Sequence, residues 1–154
     1  MKGEKWIVLV GKLYGSLYEI FVDQNTEGTI DVNHHKYGII KKCGKGKYSL
    51  VVKNGEEKVV VENLAKTMDA TYGVLARMVS MSLRHGTPLQ FIVDQMSKSK
   101  HFMGFERAVS RVIKKYIKDG EMVMTGDVCP DCESTLVYKD GCVTCQSCGW
   151  SKCV

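Results

Sequence analysis

Six of the seven cysteines in this chain lie between Cys129 and Cys153, in the stretch "CPDCESTLVYKDGCVTCQSCGWSKC". A thiolate can ligate a borderline-soft metal or attack a disulfide. Cys129/Cys132 and Cys145/Cys148 form two CxxC pairs separated by twelve residues. Each pair sets two sulfurs in one tight turn facing one ion. Four thiolates then complete a closed tetrahedral Zn²⁺ site, the arrangement of a zinc ribbon. The intervening "ESTLVYKDGCVT" has room for a hairpin turning at Asp140-Gly141, and Gly149 suits the turn closing beneath the second pair. This division leaves Cys142 and Cys153 over. The overlap in "CVTCQSC" permits another, with Cys142/Cys145 as the second ligand pair and Cys148 and Cys153 left over. A ribbon needs only four cysteines. The surplus two lie at a polar C-terminus, where Lys152 beside Cys153 favours the attacking thiolate. Spacing alone fits a redox pair and a chemically idle pair equally.

The elements that must carry this tail read as α+β, with strands first and helices after. "KWIVLVGKL" and "SLYEIFVD" flank a turn at Tyr14-Gly15. "GTIDVN" and "KYGIIKK" follow, and Asn54-Gly55 is a hairpin signal between "YSLVVK" and "KVVVE". This is an antiparallel β meander. The period then changes: Tyr72, Leu75, Ala76, Val79 and Leu83 mark one helix face, ended by Gly86 at C′. Thr87, Pro88 and Gln90 read as N-cap, N1 and N3 of a capping box for a second helix with Leu89, Ile92, Val93 and Met96 inward. A third helix starts near Gly104, with Phe105, Val109, Val112, Ile113 and Tyr116 inward. Arg107, Arg111, Lys114, Lys115 and Lys118 lie among and opposite them, and Gly120 closes it. The expected organisation is an accessory α+β domain over 1–120 and a linker with a zinc ribbon over 121–154.

The chain has 154 residues, 44% hydrophobic and 25% charged, with a net charge of +5. These values suit a globular protein, and the charge permits an anionic partner without requiring one. No run of eighteen apolar residues is present, so no membrane span is expected. The N-terminus reads as strands rather than an export signal, and clustered CxxC pairs point to a reducing cytoplasm rather than a disulfide framework. "KKCGKGKY" lacks the P-loop pattern, and Cys43 within it reads as strand or turn filler. His34-His35 reads as a solvated turn, His85 as a helix end, and His101 as a loop residue.

The tail resembles the cysteine-rich C-terminus of adenosylcobalamin-dependent (class II) ribonucleotide reductases. "KWIVLVGKLYGSLYEIFVD", "LARMVSMSLRHGTPLQFIVDQM" and "GFERAVSRVIKKYI" are similar to the strand pair and helices of that family's accessory domain. The resemblance implies a TSCPD-like accessory domain, although "SKSKHFMGF" stands where that pentapeptide would be. In the family the accessory domain follows a ten-stranded α/β barrel that binds cobalamin and nucleotide, and tail cysteines re-reduce the barrel's active-site disulfide. The resemblance thus implies a relay role for Cys142 and Cys153, with Cys148 as the alternative to Cys142, and metal binding by Cys129, Cys132 and Cys145. It implies a split vitamin B12-dependent enzyme: a catalytic barrel chain as partner, an external dithiol reductant, and adenosylcobalamin held only by the barrel. This chain would be a component of a ribonucleoside-diphosphate reductase, not catalytic alone. The competing reading is a zinc-ribbon nucleic-acid-binding regulator using the basic third helix. Against it, Glu106 interrupts the basic face and aromatics do not interleave with the cations, so nucleic acid is not an expected partner.

Overall fold

Tyr14 and Gly15 both adopt left-handed φ values, 50° and 83°. That is the two-residue turn whose twist matches a right-handed hairpin. It joins β1 (Ile7–Leu13) to β2 (Ser16–Asp23), with Leu13 opposite Ser16 and a bulge after Gly11. A computed structural model describes residues 5–24, 30–31, 34–98 and 104–153. Most of the expected "GTIDVN" strand and His101 lie outside the described residues. The chain divides into two compact units, Met1–Met81 and Ser82–Val154.

In the first unit β3 (Ile39–Gly44), β4 (Lys47–Asn54) and β5 (Glu56–Val61) form a three-stranded antiparallel sheet in that order. The expected Asn54-Gly55 turn is tighter than a two-residue loop. Asn54 pairs with Glu56, and Gly55 turns alone at φ 83°. Ile7, Phe21, Ile30, Leu50, Val61 and Leu64 make the core. Ile20, Phe21 and Val22 are all buried, so both faces of β2 are covered there. A short helix that periodicity did not announce, α1 (Leu64–Thr67), is capped by the Asn63 side chain accepting from the Ala65 N–H.

Helix α2 (Ala70–Arg84) begins where Asp69 accepts from the Thr71 N–H. Its buried stripe is Ala76, Val79, Ser80 and Leu83, while Leu75 is 38% exposed. The apolar pattern misplaced Leu75 because the stripe includes a serine. The Ser80 hydroxyl donates to the Ala76 carbonyl at 2.7 Å and accepts from the Ile20 N–H at 3.0 Å, so it is buried with its polar needs met. The helix ends as expected at Gly86, φ 72°, with the N–H groups of Gly86 and Thr87 donating to the carbonyls of Leu83 and Ser82.

In the second unit α3 (Leu89–Ser97) packs against α4 (Gly104–Lys114). The expected capping box does not form: Pro88 occupies the N-cap and no side chain caps the helix. Gln90 is instead 5% exposed and turned to the segment after α4. Its amide donates to Glu121 at 3.0 Å and accepts from the Met124 N–H at 3.1 Å. On α4, Phe105, Val109 and Ile113 are buried as expected, but Tyr116 is 37% exposed and Lys114 only 6%. The helix stops at Lys114, and the following turns bury Ile117 in place of Tyr116. Among the described residues the architecture is α+β with antiparallel sheets and four helices. No helix among the described residues is long and apolar enough to cross a membrane.

Candidate metal centre and the adjoining disulfide

The tail is a three-stranded antiparallel ribbon of β6 (Leu136–Lys139), β7 (Cys142–Cys145) and β8 (Ser151–Lys152), in that order. Asp140 and Gly141, φ 50° and 74°, turn β6 into β7 as the sequence predicts. The expected linker is not loose. Gly120 and Val123 donate to the carbonyls of Tyr138 and Leu136, and Tyr138 donates back to Glu121, so the segment is an added edge along β6. With the Gln90 contacts, it fixes the ribbon's entry.

Two knuckles with the same hydrogen-bond plan hold the sulfurs. In the first, Glu133 donates to the Cys129 carbonyl and the Cys129 N–H donates to Ser134. In the second, Gly149 donates to the Cys145 carbonyl and the Cys145 N–H donates to Trp150. The residue after each pair is left-handed, Gly149 at φ 80° and Glu133 at φ 58°. Glycine meets that demand without strain and glutamate does not. The knuckles close over Cys129, Leu136 and Cys145, with Val123, Val143 and Trp150 packed around them.

The ligand atoms of Cys129, Cys132, Cys145 and Cys148 all lie within 4.8 Å of one another. Cys129 and Cys148 sulfurs are 3.5 Å apart, as are those of Cys132 and Cys145. Four thiolates at the usual zinc–sulfur bond length stand about 3.8 Å apart in a tetrahedron. The cluster therefore has the dimensions of a four-thiolate metal site, and the donor set suits Zn²⁺. The sulfurs do not titrate alike. The Ser134 hydroxyl and then its backbone N–H hold the Cys132 thiol down to about 6. Cys145 is lowered as well, chiefly by the Cys148 backbone. At Cys148 the Trp150 backbone also lowers, but burial and the facing sulfurs of Cys129, Cys132 and Cys145 together push the thiol up to about 12.

Cys142 and Cys153 are joined in a disulfide. The register explains their meeting. Val143 opposes Lys152 and Thr144 opposes Ser151, so the next pair along is Cys142 and Cys153. Their Cα atoms are 4.5 Å apart, the spacing of a non-hydrogen-bonded antiparallel pair, where facing side chains come closest. Cys148, the alternative partner, has its sulfur against Cys129 instead. Side chains alternate along a strand, so Cys142 and Cys145, three apart on β7, project from opposite faces. The metal sulfurs and the disulfide are thereby separated.

Other predicted features are not among the four clustered cysteines. Cys43 is exposed, its sulfur 3.1 Å from the Ser49 hydroxyl. The His34 ring pairs with Asp31 at 2.6 Å. On α4 Arg107 and Arg111 are exposed, whereas Lys114 is withdrawn from the basic face by burial. Sequence reasoning missed Ser134, whose signal was a hydroxyl two residues past Cys132. It also missed the Gln90 clamp, for which no local signal existed.

Residues 1–118 match the family described as NrdJ homologue C-terminal domain. The match ends before Cys129. No curated protein and no solved structure matches the chain.

Proposed function

The chain belongs to the NrdJ homologue C-terminal domains, homologous to part of the class II ribonucleotide reductase, and from that premise we propose that it relays electrons to the active site of a reductase barrel on a separate chain. The observation that carries this reading is the division of six cysteines into a four-sulfur cluster and a second pair on the opposite face of one ribbon. Cys129, Cys132, Cys145 and Cys148 hold Zn²⁺, which supplies a structural cross-link. Cys142 and Cys153 are the exchanging pair.

In the relay, the Cys153 thiolate attacks one sulfur of the barrel's disulfide and displaces the other as a thiolate. The Cys142 thiolate then attacks the mixed disulfide at Cys153. This forms the Cys142–Cys153 disulfide and releases a reduced barrel dithiol. An external dithiol reduces the tail by the same two steps in reverse, so two electrons and two protons pass per cycle. Adenosylcobalamin and the ribonucleotide belong to the barrel.

The test combines the full chain with a cognate barrel and a dithiol donor. Wild type should sustain many turnovers. Cys142→Ser and Cys153→Ser should each stop after the turnover stored in the barrel, with zinc content unchanged. Undiminished turnover in both variants would overturn the reading. Loss in Cys148→Ser with zinc retained would move the relay to the Cys148/Cys153 pair.

A further inference from the structure

A cavity of about 710 Å³ in the second unit is lined by Lys114 and Arg107 of α4, Lys152 of β8, and the aromatic rings of Tyr138 and Trp150. Lys114 follows Arg107 by seven positions, about two helical turns, so both fall on one face of α4. Lys114 is only 6% exposed, and among the described residues its side chain has no ion pair or hydrogen bond. Burial first, and then the nearby charge of Lys152, depress its ammonium. A buried cation facing a second cation is costly unless something negative joins them.

Two carboxylates also border the cavity, and neither serves Lys114. Asp94 is paired with Lys98 at 2.8 Å, and Asp127 accepts from the Thr125 hydroxyl at 2.6 Å. The lining carries three cations against these two carboxylates, and Lys98 offsets Asp94 from outside it, so the cavity favours an anion. The volume is that of a small-molecule site, and Leu136, Val143, Tyr138 and Trp150 offer it an apolar and aromatic wall.

We propose that this cavity binds a phosphate monoester carrying a planar apolar body, its phosphate held by Lys114, Arg107 and Lys152. Lys152 immediately precedes Cys153, so the Cys142–Cys153 disulfide fixes the strand that presents it. Opening the disulfide frees β8 at its end and weakens the site. Linkage then requires the reciprocal: a bound phosphate monoester makes the disulfide harder to reduce by the same factor.

The test titrates the full, zinc-loaded chain with AMP as probe, in a Trp6→Phe background so that Trp150 fluorescence reports alone. AMP should bind saturably, with adenosine and inorganic phosphate each much weaker. Lys114→Met should lower AMP affinity roughly thirtyfold, the loss typical of removing one partner of a buried charge contact. The same variant should melt no lower than wild type, since an unpaired buried charge has been removed, and this separates lost binding from lost folding. Equal weak binding of AMP and adenosine, or unchanged affinity in Lys114→Met, would overturn the site. Inorganic phosphate binding as well as AMP would overturn the planar-body part. AMP affinity unchanged by Cys142→Ser with Cys153→Ser would overturn the redox linkage. A failed titration leaves the relay reading standing, since that is read in turnover with the barrel.

Discussion

Removing the Cys142–Cys153 disulfide should destabilise the ribbon by an amount set by the loop it closes. The two cysteines are 11 residues apart in sequence. Chain-entropy scaling for a loop of that length gives a loss of about 3 kcal/mol at room temperature. The disulfide does not act alone, however. Cys145 and Cys148 lie inside the same loop, and a metal held by them together with Cys129 and Cys132 would already restrict it. The full loss should therefore appear only after chelation, and with zinc bound it should shrink well below that figure. Urea unfolding of the Cys142→Ser, Cys153→Ser double variant checks this, followed by Trp150 fluorescence in a Trp6→Phe background, with zinc and with a chelator. A loss near zero in the chelated protein would refute the loop-closure reasoning. An equal loss in both states would refute the claim that metal and disulfide constrain the same segment.

Chelated protein with its tail thiols free should react unevenly with iodoacetamide at pH 7. Cys132, held down to about 6, is mostly thiolate there, while Cys148 near 12 is not, so peptide mapping should find Cys132 modified about tenfold faster or more. The folded value of Cys132 is depressed, so its thiolate persists above pH 6 and is lost as pH falls through 6; labelling should fall with it. Equal rates at the two sites would refute the Ser134 assignment. Gly149→Ala forces a side chain into φ 80° and should cost about 1–2 kcal/mol, read as roughly tenfold weaker zinc retention against a competing chelator. Glu133→Gly should shift retention the opposite way. Gln90→Ala removes the part-buried acceptor of the Met124 N–H and should cost about 1 kcal/mol. Thermal melting and faster amide exchange at Met124 would show it.

Much of this was legible in the sequence because it is local. CxxC spacing, the Asp140-Gly141 turn and the Gly86 helix stop depend on a few adjacent residues, and each appears where the pattern puts it. What the pattern misplaced depends on distant partners. Gln90 follows Pro88 as a capping residue should, yet a bond to Glu121 and another to Met124 outcompete the cap. Ser80 enters a buried stripe because a strand N–H sixty residues away needs an acceptor. Lys114 looked like one more surface cation, and only the packing of α4 shows it buried. Polar residues whose partners are remote in sequence are the ones that periodicity cannot place.

The strand register would also let one short ribbon carry both of the proposed thiol chemistries. A zinc-bound thiolate is still a nucleophile, and a neighbouring disulfide would be attacked by it. Cys142 and Cys145 share β7, only three residues apart, yet an odd spacing on a strand sends them to opposite faces. Cys145 is thereby committed to the buried cluster with Cys129 and Leu136, while Cys142 meets Cys153 across the strand pair. Inserting one residue between Val143 and Thr144 would put Cys142 on the metal's face. That variant should scramble, giving disulfides between Cys142 and the ligand cysteines and loss of zinc on mild oxidation. Mass spectrometry of the oxidised tail reads both. Retention of zinc and of the Cys142–Cys153 pairing in the insertion variant would show that something other than strand parity keeps the two chemistries apart.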